Sequence, residues 1–342
     1  MKRLGFLLVI LTAILLACAK TKPVPVSPEA AVSAEAVASA APVASASPVD
    51  AAAPVDATVP VDAAAPVDAE VDAPKALAST ATTTGTMVTA STKIGTSSYS
   101  TDWFLPATTP TGLVYLQHAF MRSSSNLRDM AKTFMAQGMM VMAVNVSVQN
   151  GNSTAAKSFA DALQAGTIVP PQSKPLPASF VLAGHSAGGL FVTYMGKRLA
   201  DVSSTKLKGL VLFDPVDASN AMLPNMQAVI TKGGKVLAIL SNSSSCNSSN
   251  NAMAPLKALS QAFVGIKLTV TSKHTDPEGA NSGGLLSMLC GSPISYNILK
   301  NQDFASHWAS DMLTGNITSA YYPGGTAVTT LVTTDKKGVL IK

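Results

Sequence analysis

Charge is scarce in this chain of 342 residues: only 13% are Asp, Glu, Lys or Arg, against the roughly one quarter usual for soluble domains. Aromatic residues are also few, at 5%. From residue 19 to 75 there is neither a glycine nor an aromatic residue, so that stretch has nothing with which to fill a core. The rest has enough apolar, strand-like runs to exclude disorder throughout, and enough length for one large domain. No apolar run after residue 20 approaches the roughly 20 residues a spanning helix needs, which excludes a polytopic membrane protein. From residue 76 on, basic residues are scattered, with only Lys197-Arg198 and Lys336-Lys337 adjacent. Without an aromatic-interleaved basic segment, the net charge of +5 does not point to nucleic acid.

The charge that is present is unevenly shared. Residues 1–75 carry five basic and eight acidic side chains, whereas 76–342 carry nineteen and eleven. Met1-Lys2-Arg3 precedes an apolar run from Leu4 to Ala17 that ends in Leu15-Leu16-Ala17-Cys18. This is a secretory leader layout, too short for a comfortable span. The Leu-x-Ala-Cys ending resembles a bacterial lipobox, which implies cleavage before Cys18 and lipid on its sulfur, with an ordinary secreted protein as the alternative. Ala19 stands where Asp would mark inner-membrane retention, so the implied address is the cell envelope, at the outer membrane, facing the periplasm or the cell surface.

Beyond the leader, Pro48-Val49-Asp50 recurs at Pro54, Pro60 and Pro66. Proline every few residues blocks a helix and the spaced aspartates repel one another, so an extended tether is expected. The expected organisation is a leader over 1–18, a tether over 19–80 and a folded domain over 81–342.

Within that domain, strand-like and helix-like runs alternate. Strands are expected at Gly85–Ala90, Lys93–Leu105, Leu113–Leu116, Met139–Val146, Phe180–Ala183, Leu207–Phe213, Val236–Leu240 and Ile266–Thr271. Helices are expected at Asn126–Gln137, Leu190–Leu199, Met253–Phe263 and Ile298–Leu313. Fully apolar strands alternating with helices predict an α/β fold with a mostly parallel central sheet covered on both faces.

Gly184-His185-Ser186-Ala187-Gly188 sits between an expected strand and an expected helix, and that context makes Gly-x-Ser-x-Gly specific. Such a turn lifts the serine oxygen to the N-terminus of a helix, whose free N–H groups, that of Ala187 first, favour developing negative charge. A serine nucleophile needs a base and an acid, in the chain order Ser–acid–His. Of four histidines only His274 and His307 lie downstream. His307 falls inside the expected helix 298–313, beside Trp308, which favours a half-buried structural role. His274 falls on a loop just after a strand and is the expected base. Between Ser186 and His274 the only acids are Asp201, Asp214 and Asp217. Asp201 closes the helix after the serine and is expected in solvent. Asp214 directly follows a strand at its carboxyl end, where functional groups gather, and is preferred to Asp217. The following strand ends in Ser241-Asn242, without a carboxylate.

These residues resemble the chlorophyllase branch of the α/β-hydrolase superfamily, whose elbow the bacterial cutinase-like polyester hydrolases share. The resemblance covers about 110–315 and rests on Gly-His-Ser-x-Gly-Gly, on Asp-Pro-Val-Asp after the next strand, and on the loop histidine. It implies the α/β-hydrolase fold, a triad of Ser186, Asp214 and His274, and a second oxyanion donor at the Phe120 N–H within Gln117-His118-Ala119-Phe120. Ala119 departs from the usual glycine there. The implied activity is carboxylic-ester hydrolysis through an acyl-enzyme, without metal or cofactor, by a monomer acting on a small or lipid-like ester. A binding or adhesion module on the same scaffold, or acyl transfer or peptide cleavage by the same triad, are the alternatives. With Cys18 lipidated, Cys246 and Cys290 remain as an even pair in an oxidising compartment, and a bridge between them is expected over two free thiols. Met222, Leu223, Met226 and Val229, in the expected loop after Asp214, are either an apolar lip to the site or core.

Overall fold

The computed structural model describes residues 84–342, so the leader, Cys18 and the Pro-Val-Asp tract lie outside the described residues. The described part begins with a hairpin. β1 (Gly85–Ile94) and β2 (Ser97–Pro106) pair antiparallel from Gly85↔Pro106 to Ile94↔Ser97. The reversal falls at Gly95, whose φ of +59° is a conformation glycine adopts without steric cost. The expected break between Ala90 and Lys93 is therefore displaced by a few residues.

Seven further strands follow: β3 (Leu113–Gln117), β4 (Met140–Val144), β5 (Phe180–His185), β6 (Leu207–Phe213), β7 (Lys235–Leu240), β8 (Gly265–Leu268) and β9 (Gly338–Ile341). They form a sheet of order β1-β2-β4-β3-β5-β6-β7-β8-β9, in which β4, β3, β5, β6, β7 and β8 run parallel. β1, β2 and β9 join through antiparallel pairings at the two sides.

Successive residues of a strand point to opposite faces, and here both faces are apolar. Leu182, Leu210 and Leu212 meet Phe159 and Phe191 on one face, under α2 (Ser153–Ala165), α3 (Ala187–Asp201) and α4 (Met222–Thr231). Val181, Ala183, Val211 and Phe213 meet Phe134, Phe304 and Trp308 on the other, under α1 (Arg128–Ala136) and the long helix α7 (Ser295–Thr314). Two shorter helices, α5 (Met253–Lys257) and α6 (Gly284–Cys290), lie between α4 and α7 in the chain, and α8 (Thr326–Thr329) precedes β9. A mostly parallel sheet between two helical layers, with a strand–turn–helix serine after β5, is the α/β-hydrolase fold.

Several expectations are corrected. The helix expected at Met253–Phe263 stops at Lys257, and the strand expected at Ile266–Thr271 stops at Leu268. Thr271 has a φ of +47°, a left-handed conformation that a strand does not contain. Helices α2 and α4 and strand β9 were not anticipated. α2 carries Ala156, Phe159, Ala160 and Leu163 inward, at helical spacing, between an Asn152 side-chain cap and Gly166. Met222, Met226 and Val229 belong to α4 and are buried against the sheet, so they are core and not a lip to the site. Among the described residues no helix is long and apolar enough to cross a membrane.

Candidate active site

β5 and α3 meet at Ser186, whose φ of +56° and ψ of −122° lie outside the regions open to most side chains. Three backbone hydrogen bonds hold this conformation. Ser186 N–H donates to Phe213 C=O at 3.0 Å, and Ser186 C=O accepts from Gly189 N–H at 2.9 Å and Val216 N–H at 3.2 Å. The glycines on either side are required by space. A Cβ on Gly184 would strike the Gly188 carbonyl, and one on Gly188 would strike the carbonyls of Gln117 and His118. The elbow is therefore seated directly against the end of β3.

Asp214 follows β6 with a φ of +39° and is buried. Its Oδ2 lies 2.6 Å from His274 Nδ1. The same carboxylate accepts the Ser241 backbone N–H at 2.9 Å, the Ser241 hydroxyl, and Asn247 Nδ2–H at 3.3 and 3.0 Å. Burial pushes the Asp214 carboxyl up, but the bonds from His274 and Ser241 outweigh it, and the group titrates below its ordinary value. It is held as an anion facing the imidazole.

His274 stands on the loop after β8. Its ring lies against that of His185, with centroids 4.8 Å apart. His185 Nε2–H donates to the His274 carbonyl at 2.7 Å. Burial first, and then the neighbouring His274, lower the His185 pKa to about 3, so His185 is neutral and acts as a fixed donor. The loop is also anchored on its far side. Asp276 accepts the N–H groups of Lys273 at 2.7 Å and Ile294 at 2.9 Å, and the Thr275 hydroxyl donates to Gly291 C=O. Burial raises the Asp276 carboxyl to about 6.

Cys246 and Cys290 are joined by a disulfide across 44 residues of sequence. One end precedes Asn247, which donates to the Asp214 carboxylate. The other precedes Gly291, which holds the residue after His274.

The remaining candidates are placed elsewhere. Asp217 accepts the N–H groups of Ala221 and Met222 at 3.0 and 3.2 Å, and so caps the start of α4. Asp201 is exposed and pairs with Lys197 at 2.8 Å. His307, half-buried in α7, stacks on Tyr321 at 3.8 Å and bonds to the Asp303 carbonyl at 2.8 Å. Ala187 opens α3, with its N–H in the first turn. Phe120 follows β3 on an exposed turn closed by Arg122 N–H to Ala119 C=O at 3.2 Å. His118, buried at the start of that segment, bonds through Nδ1 to the Ala119 carbonyl at 2.8 Å.

Four polar residues around the site carried no local signal in the sequence: Ser241, Asn247, Arg122 and Glu278. Ser241 directly follows β7 and donates its N–H and hydroxyl to Asp214, the carboxylate that follows the neighbouring strand β6.

The sequence matches no protein-family model and no curated protein. Among solved structures it is similar to the dienelactone hydrolase of Anabaena variabilis ATCC 29413, at 15% identity and a TM-score of 0.43, over 56% of this chain and 88% of that one. The fold assignment rests on the sheet order and the elbow described above.

Proposed function

We propose that the protein is a serine carboxylic-ester hydrolase working through an acyl-enzyme. The observation that carries this reading is the 2.6 Å contact between Asp214 Oδ2 and His274 Nδ1, in a protein whose Ser186 is held in a strained strand-to-helix turn. With Nδ1–H donated to Asp214, the His274 tautomer leaves Nε2 free to take a proton. Ser186 Oγ attacks the ester carbonyl as its proton passes to His274 Nε2. The carbonyl oxygen becomes an anion and is received by the N–H groups of Ala187 and Phe120. Collapse expels the alcohol, protonated by His274, and water repeats the sequence to release the acid. Asp214 stays ionised throughout and stabilises the imidazolium.

The proposed substrate is a small or lipid-like ester. The side chains of Phe120, the proposed oxyanion donor, and of Met121 next to it are 44% and 57% exposed, and an apolar rim suits an apolar acyl group. Lipid on Cys18 would hold the enzyme at a membrane of the cell envelope, and Cys18→Ser would then move it from the membrane fraction to the soluble one. The deciding experiment is turnover of p-nitrophenyl esters of graded acyl length by wild type and Ser186→Ala. Wild-type activity that survives in Ser186→Ala rules the proposal out.

A further inference from the structure

The turn after β3 is held from outside its own segment. Met121, at its middle, has a φ of +57°, which a side chain other than glycine, Asn or Asp seldom adopts. The next side chain, Arg122, leaves the turn for Glu278: Nε donates to Oε1 at 2.9 Å, and Nη2 stands 2.9 Å from Oε2 as a charge contact outside hydrogen-bond geometry. Its Nη1 donates to Gly283 C=O at 2.7 Å, and Nη2 lies 3.5 Å from Ser287 Oγ. The two charged side chains are 8% and 1% exposed.

Glu278 stands on the short 3-10 turn Asp276–Asn281, four residues after His274. His185, whose Nε2–H holds the His274 carbonyl, packs beside it, its unprotonated Nδ1 3.6 Å from Glu278 Oε1 without a hydrogen bond. One buried cluster thus touches both the turn that carries Phe120 and the loop that carries His274.

A buried ion pair is weak evidence for stability, because desolvation cancels much of the attraction. A guanidinium that bonds the carboxylate through Nε and the Gly283 carbonyl through Nη1 does fix distance and orientation, which a point charge cannot. Here it joins segments 156 residues apart, at the two places where the proposed reaction needs relative alignment.

We propose that Arg122 and Glu278 are positioning residues for ester hydrolysis. Their pairing keeps the Ala119–Arg122 turn in register with the His274 loop, so that the Phe120 N–H faces the same carbonyl that Ser186 attacks. The inference rests on the serine-hydrolase reading above. Neither side chain touches the substrate; both act through the backbone they anchor.

The test compares wild type, Arg122→Gln, Arg122→Lys and Glu278→Gln on a p-nitrophenyl ester, with Ser186 titrated by a fluorophosphonate so that rates are per competent site. A trifluoromethyl ketone, whose adduct with the serine carries the oxyanion, is the second probe. Arg122→Gln and Glu278→Gln are expected to lower kcat by roughly 10- to 100-fold with KM within about twofold, and to weaken the ketone by the same factor. Arg122→Lys keeps the charge without the planar guanidinium. It is expected to regain the melting temperature but not kcat, and it carries the test if Arg122→Gln does not fold.

An unchanged kcat per titrated serine, or full recovery of kcat in Arg122→Lys, overturns the proposal. A wild type that hydrolyses no ester sinks the hydrolase reading and this one together. A Ser186-dependent wild type with unaffected Arg122 and Glu278 variants sinks this one alone.

Discussion

Asn247 donates one amide group to both oxygens of the Asp214 carboxylate, at 3.3 and 3.0 Å, from the position next to the disulfide at Cys246. Asp214 is thereby tied to a covalent crosslink and not only to the strand it follows. Asn247→Ala removes a charge-assisted bond, which is usually worth about 1.5–3 kcal/mol. With the His274 bond intact, the expected result is a fall in kcat of roughly tenfold, read in steady-state ester hydrolysis, with KM little changed.

Asp214 and Asp217 should separate cleanly. Asp214→Asn is expected to cut kcat by roughly 10³–10⁴ with little effect on KM, because an amide cannot hold the His274 tautomer or support the imidazolium. Asp217→Asn keeps one of the two acceptors at the helix start, so it should cost less than about 1 kcal/mol of stability in denaturant titration and leave kcat near wild type. A crippled Asp217→Asn beside a mild Asp214→Asn would remove Asp214 from the mechanism.

Asp276 predicts a pH dependence of stability. Its folded pKa of about 6 lies above the ordinary 3.8, so the folded state binds the proton more tightly than the unfolded chain. This group's contribution is then fully favourable at low pH and is lost as pH rises from about 4 to 6. Melting temperatures of Asp276→Asn should lack that part of the slope. Asp214, shifted downward, acts in the opposite sense: its contribution is present above the ordinary carboxylate range and is lost only at more acid pH.

The disulfide closes a loop between residues 44 apart, for which loop-closure entropy gives about 4 kcal/mol. The paired Cys246→Ser and Cys290→Ser variant should unfold at lower denaturant concentration by that order. Activity should fall as well, since Asn247 and Gly291 each lie one residue from a bridged cysteine. Full stability in the double variant would show that the bridge constrains little.

The parts of the site that could be read from the sequence are those with local or arithmetic signatures. Ser186 announces itself because the elbow occupies five consecutive residues between a strand and a helix. Asp214 could be reached because only three acids separate Ser186 from His274. Ser241, Asn247, Arg122 and Glu278 could not, since their roles exist only through partners 27, 33 and 156 residues away. Among the elements, the apolar parallel strands were plain. Helix α2 was hidden by small alanines and α4 by Pro224, which looks like a loop residue but sits in the first turn of the helix, where a missing N–H costs nothing.

Gly188, finally, makes the elbow and the end of β3 a single backbone joint, because the carbonyls of Gln117 and His118 occupy the space a side chain would need. Alignment between the serine and the turn leading to Phe120 is thus inherited from main-chain contact that sequence drift cannot adjust by small steps. Side-chain replacements on the exposed turn, at Phe120 and Met121, therefore leave the seat of Ser186 where the main chain has put it.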